Sequence, residues 1–401
     1  MTNNISEYFD EDEEENYEDV TVDKNVFSQA VIWGTDWTIE TINNQLKKGN
    51  IDLNPKFQRR SAWKNDKKSK LIESLILGLP VPEIVLAENK KKKGSYIVID
   101  GKQRLLTIRQ FYSTDENKNF SRFKLSTLEI LTELNGKTYS DLEKNAEFRS
   151  YQEALDNQSI RTVIIKNWPN DDFLHIVFHR LNTGSVALSS QELRQALHPG
   201  EFIDFSEQFS RESRTIQRML RLKEPDNRMK DVELVIHYFA FKNFLPKYGG
   251  RYKKFLDDIV EELNHLWKEK EVEIKTQAND LNQAIDSTIA IFGFDDAFKK
   301  YSSGSFQRTF NRTVFEIMVY YFSEDRIRTV ALNKKSEIKT AYIHLCQNDT
   351  EFVRSIEIST KNIDKVVKRY STWGSVLSSI LQIEISIPIL VEGRIVMGST
   401  P

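Results

Sequence analysis

The chain has 401 residues, 39% hydrophobic and 29% charged, enough for two or more cores of ordinary globular composition. No stretch has the length or apolarity of a membrane span, the start Met1-Thr2-Asn3-Asn4 followed by acids does not read as a secretory signal, and the single cysteine, Cys346, excludes an intrachain disulfide and a cysteine-based zinc site. Residues 1–23 hold ten Asp or Glu and no Lys or Arg, so setting them aside takes the formal charge from −2 to +8. Residues 1–24 therefore read as an acidic disordered tail on a mildly basic body, and a cytoplasmic location is expected. The tail is either a solubilising leader or a segment that competes with a polyanion for the basic surface.

Residues 25–200 read as a mixed α/β domain. Trp37, Ile39, Ile42 and Leu46 predict a helix starting near Asp36 or Thr38 and closed by Gly49-Asn50. IDLNPKFQRR reads as an extended segment with a turn at Asn54-Pro55. Leu71, Ile72, Leu75, Ile76 and Leu79 share one side of a helix over Lys67–Leu79. Pro80 and Pro82 then lead into a strand at Glu83–Ala87, predicted to pair antiparallel with Tyr96–Ile99 across a charged loop containing Lys90–Lys93. A small hairpin or a ligand-free decoration is expected around Asn135-Gly136, a strand at Arg161–Lys166, a helix at Asp171–Arg180, and a capped helix from Ser189 or Ser190. Residues 201–375 read as a helical domain, with helices at Met229–Phe244, Tyr252–Ile274, Leu281–Phe292 and Thr313–Phe322, and residues 376–401 as a strand-like segment turning at Glu392-Gly393.

The most informative stretch is Tyr96–Phe111, YIVIDGKQRLLTIRQF. It reads as a buried strand, a tight turn, and a helix whose first turn is polar and basic. Such a junction gathers backbone N–H donors, the Asp100 carboxylate and the Arg104 guanidinium at one point, which suits a phosphate. Asp100 either serves chemistry, holding Mg2+ or orienting a water, or caps the helix. Three further segments can converge on it. One is NPKFQRR, where Gln58 supplies an amide and Arg59 and Arg60 supply forked donors; Arg59 can alternatively pair with Glu73. The second is Ile72-Glu73-Ser74 on the helix. The third is FHRLNTGSVALSSQELR, where Arg180, Asn182, Thr183 and Gly184 form a small polar loop. His175 and His179 have the i, i+4 spacing of some metal ligands, but no Glu follows His175 as in a zinc protease. Walker, dinucleotide-binding and HNH nuclease patterns are not found.

Four ordered blocks, NPKFQRRSAW, LIESLILGLPVPEIVL, YIVIDGKQRLLTI and FHRLNTGSVALSSQELRQA, resemble the DUF262 family, related to the N-terminal part of GmrSD-type restriction systems. The resemblance covers about residues 35–200, with a weaker helical continuation. It implies an α+β fold with a ParB/sulfiredoxin-like core followed by a mainly helical domain. It also implies a component that binds and hydrolyses a nucleoside triphosphate with Mg2+ in antiphage DNA restriction. Asp100, Gln103 and Arg104 would be its catalytic residues, with Asp100 on the metal. Gln58, Arg59, Gly101, Lys102, Arg180, Asn182, Thr183 and Gly184 would hold the nucleotide. The family signature is usually DGQQR, so Lys102 departs from it. With no HNH candidate, nuclease activity would belong to a separate subunit. DNA is the expected partner and a homo-oligomer is compatible; the rival reading is a non-catalytic DNA-binding adaptor that regulates a separate nuclease.

Overall fold

The computed structural model describes residues 29–51, 53, 63–90, 92–114, 120–181 and 189–400. The chain divides into two compact units, the first ending at Leu197 and the second running from His198. The first is mixed α/β and the second largely helical.

The first unit is built on a four-stranded sheet: β1 (Val31–Thr38), β2 (Ile84–Glu88), β3 (Tyr96–Asp100) and β4 (Ser159–Lys166). Their order is β1-β4-β2-β3, with β2 parallel to β4 and the outer pairs antiparallel. The expected β2–β3 pairing is present, in the register Val85 opposite Asp100 and Leu86 opposite Val98, with an irregularity between Val85 and Leu86. Both faces of β2 and β3 are covered, which is why IVLAE and YIVID are near-continuous apolar runs, whereas β4, SIRTVIIK, alternates over its first half. Ile84, Leu86, Val98 and Ile160 face one core, built with α1 (Ile39–Lys47), α2 (Asn65–Ile76), α3 (Lys102–Phe111), α4 (Tyr139–Lys144) and α5 (Arg149–Asn157). Val85, Ala87, Ile97, Ile99 and Ile165 face a second core with α6 (Asp171–Leu181) and α7 (Ser190–Leu197).

Thr38 caps α1, its hydroxyl accepting the Thr41 N–H at 3.2 Å. The eight residues Val31–Thr38 form β1, a strand the sequence did not announce. Val31, Ile32 and Trp33 are exposed at this sheet edge, so no burial alternation marks it. Around Asn135-Gly136 the chain makes a 3-10 turn at Thr132–Leu134 rather than a stranded hairpin, although Leu125 and residues 136–137 exchange two backbone hydrogen bonds. Glu73 accepts the Ile130 and Leu131 N–H groups at 2.9 and 2.8 Å. Arg59 itself lies outside the described residues.

The second unit contains α8 (Glu201–Glu212), α9 (Arg214–Met219), α10 (Lys230–Phe244), α11 (Tyr252–His265), α12 (Trp267–Phe292), the two-residue strands β5 (Tyr301–Ser302) and β6 (Ser305–Phe306), α13 (Arg312–Phe322), α14 (Asp325–Ala331), α15 (Lys335–Asn348), α16 (Thr350–Glu357), α17 (Ile363–Leu381) and the hairpin β7 (Ser386–Val391)–β8 (Arg394–Ser399). The single helix expected over Tyr252–Ile274 is two. The break falls at Leu266, and the buried Trp267 ring anchors the new helix 5.2 Å from the Phe205 ring. Residues 376–381, read with the strand-like segment, are the last turns of α17, which ends in a left-handed Gln382. Gly374 permits the hairpin to close on α17: a Cβ there would lie 2.5 Å from Ile387 Cγ2.

A buried ionic network holds four of these helices. Glu316 of α13 meets His237 Nδ1 of α10 at 2.8 Å and accepts from Arg369 Nη2 of α17 at 3.1 Å and from the Tyr252 hydroxyl of α11. Arg312 donates to Glu233 at 2.9 Å. Burial alone would raise the Glu316 carboxyl, but the hydrogen bond to His237 and the positive charges of Arg369, His237 and Arg312 hold it down at about 2. Burial opposes a charged His237, yet hydrogen bonds to Glu233 and Glu316 raise its pKa above the usual value. The signs are opposite. The Glu316 contribution is present above its unfolded pKa and is lost as pH falls from the ordinary carboxylate range toward about 2. The His237 contribution is present below its unfolded pKa and is lost as pH rises through the raised one. Urea unfolding of Glu316→Gln should show a loss of roughly 3–5 kcal/mol at pH 6, because Arg369 is left buried without its counter-charge. The deficit should shrink toward pH 2, and a variant as stable as the parent at pH 6 would show that the network is energetically idle.

Candidate functional site

The strand–turn–helix junction forms as its sequence suggests. β3 carries Ile97, Val98 and Ile99 into the two cores and ends at Asp100; Gly101 turns the chain at φ +96°, and α3 begins at Lys102. The turn requires glycine for two reasons. That φ is one L-residues rarely adopt, and an added Cβ would lie 3.1 Å from Ile84 Cγ1 and 3.3 Å from Arg104 Nη2. Glycine also brings no side chain of its own to cap the first turn of α3, and Asp100 sits at the start of that helix.

Arg104 lies one helical turn on, its side chain 8% exposed. Its Nη2 donates to Asp100 Oδ2 at 2.9 Å and to the Glu83 carbonyl at 2.7 Å. One guanidinium thus ties the end of β3, the start of α3 and the residue preceding β2. Asp100 is 21% exposed, so a carboxylate fixed from the inside still reaches solvent. Lys102 points elsewhere: its ammonium meets Glu192 Oε1 of α7 at 2.7 Å. Glu192 completes a capping box, its Oε2 accepting the Ser189 N–H at 2.7 Å while Ser189 Oγ accepts the Glu192 N–H at 3.1 Å. Each of these two ion pairs is formally neutral in itself. Gln103 is half-buried in the first turn of α3, and Arg180 is exposed on the last turn of α6.

The structure therefore brings together Asp100, Gly101, Lys102, Gln103 and Arg104, and adds Glu83, Ser189 and Glu192. Gln58, Arg59, Asn182, Thr183 and Gly184 lie outside the described residues. The capping box was legible as Ser189-Ser190-Gln191-Glu192; its link to Lys102, 90 positions earlier, was not. His175 is fully buried in α6. Among the described residues no group of three His, Cys, Asp or Glu side chains could hold a metal ion, and no helix is long and apolar enough to cross a membrane.

Residues 39–199 match the family described as GmrSD restriction endonuclease, N-terminal domain. The matched segment begins at α1, ends just after α7, and contains the whole Asp100–Glu192 constellation. No curated protein and no solved structure matches the chain. The helical unit lies almost entirely beyond the match.

Replacing Gly101 by alanine should lower stability by about 1–3 kcal/mol, from the strained φ and the close Ile84 contact together. Thermal unfolding checks this, and an unchanged midpoint would mean that the turn relaxes without cost.

Proposed function

We propose that this chain is a nucleoside-triphosphate-binding and hydrolysing component of an antiphage DNA restriction system, with its nucleotide site at the Asp100–Arg104 junction. The observation that carries the reading is an outward-reaching Asp100, oriented by a buried Arg104 at the start of a helix, inside the segment that matches the restriction-endonuclease domain. The ParB/sulfiredoxin-like character of the core is part of the same proposal.

Each residue has a part in this reading. Arg104 fixes the rotamer of Asp100, whose carboxylate then orients the attacking water. The α3 N-terminus and the Gln103 amide offer donors to phosphate oxygens, and Gln58, Arg59, Arg180, Asn182, Thr183 and Gly184 are the proposed further contacts. Mg2+ fits a one-carboxylate site of this kind, since that ion is commonly held by one or two carboxylates, water and the phosphates themselves. Asp100 would hold it, and the ion would offset charge on the phosphates. The basic balance of the body supports a DNA partner, with cutting assigned to a separate nuclease and a cytoplasmic setting.

Purified protein with Mg2+ should release phosphate from at least one nucleoside triphosphate, and Asp100→Ala should reduce the rate by roughly 100-fold or more. No turnover of any nucleotide, with or without DNA, would sink the enzymatic reading.

The charge asymmetry between residues 1–23 and the body favours one second reading, a non-catalytic DNA-binding adaptor. It predicts DNA affinity that needs no nucleotide, falls steeply with salt, and rises when residues 1–23 are deleted. Unchanged affinity in the deletion would remove the masking role of the tail.

A further inference from the structure

We propose that Lys102 serves the site through Glu192, as a positioning residue, and does not supply charge to a bound phosphate; this rests on the nucleotide reading above. Lys102 is the first residue of α3, directly after Gly101, and its ammonium is 2.7 Å from Glu192 Oε1. Both side chains are nearly enclosed, at 14% and 8% exposure. To reach a phosphate, the ammonium would have to abandon a carboxylate that is almost out of water, and breaking such a pair from one side is costly.

Glu192 is a fixed partner. Its second oxygen is spent on the Ser189 N–H, and its own N–H is held by Ser189 Oγ. The helix beneath it is anchored by Gln191, Leu193 and Arg194, all fully buried. The pair is a strut from α7 to the first residue of α3. It holds the turn from which Asp100 leaves β3 and on which Arg104 grips it. In this light, a lysine in DGKQR adds an internal tie and leaves the charge presented to a ligand unchanged.

The test is a cycle of Lys102→Met, Glu192→Gln and the double variant, read by thermal midpoint and by steady-state nucleotide hydrolysis with Mg2+. Lys102→Met leaves Glu192 buried and unpaired, so the midpoint should fall by roughly 5–15 °C. Its kcat should fall about 10-fold or more through misplacement of the junction, with KM within about twofold. The double variant keeps an acceptor for the Ser189 N–H and needs no cation, so it should recover most of both losses. A double variant as slow as Lys102→Met, with KM raised about 10-fold in both, would make Lys102 a phosphate ligand and overturn the proposal. A double variant no more stable than Lys102→Met would overturn the strut itself, whether or not the parent hydrolyses nucleotide. A parent that turns over no nucleotide sinks the nucleotide reading and the positioning role with it, while the midpoints still decide the strut.

Discussion

The guanidinium of Arg104 is the contact on which the candidate site depends. It lies between the Asp100 carboxylate and the Glu83 carbonyl, and so joins three pieces of chain that a sheet edge would otherwise leave independent. A buried arginine needs acceptors, and here it finds a charged one and a backbone one within reach of the same nitrogen. The consequence is an acidic group with its rotamer set from below and its outer side open. Gly101 is the geometric condition for this arrangement, because any Cβ at that turn would press on Ile84 and on the arginine itself.

The junction is supported from both faces of the sheet. α3 packs with α1 and α2 on one side, and α7 approaches β3 from the other and contributes Glu192. Ion pairs at such a point are worth little when exposed and are demanding when enclosed. Both pairs here are enclosed enough to hold their geometry, and each is neutral as a pair. An anion meeting this patch would therefore be met chiefly by hydrogen-bond donors and by cations from outside it, such as Arg180 on α6.

The helical unit follows different physics. Its helices carry broad apolar faces, and α10 is buried nearly all round. A nonpolar interior of that kind does not specify which helix meets which. The Glu316–His237–Arg369 network, with Tyr252 and Arg312, adds directional contacts among α10, α11, α13 and α17. Such a network tolerates few rearrangements, since each one would strand a charge away from water.

The strand–turn–helix of Tyr96–Phe111, the β2–β3 pairing, the capping box before α7 and most helix positions were legible in the sequence, because they rest on local periodicity, caps and turn chemistry. Strand β1 was not: an exposed edge strand carries no burial signal, and pairing with β4, more than 120 residues away, alone makes it a strand. The break at Leu266 was equally silent, having neither Pro nor Gly to mark it; the burial of Trp267 sets it. The residues of the site divide in the same way. Asp100, Gly101 and Arg104 were recognisable together, because they are neighbours in the chain and a strand–turn–helix junction gathers the carboxylate and guanidinium at one point. Lys102 was recognisable only as a cation. What it does with that charge was decided by Glu192, which the fold brings to it from another helix, and no local pattern encodes a contact made across a sheet.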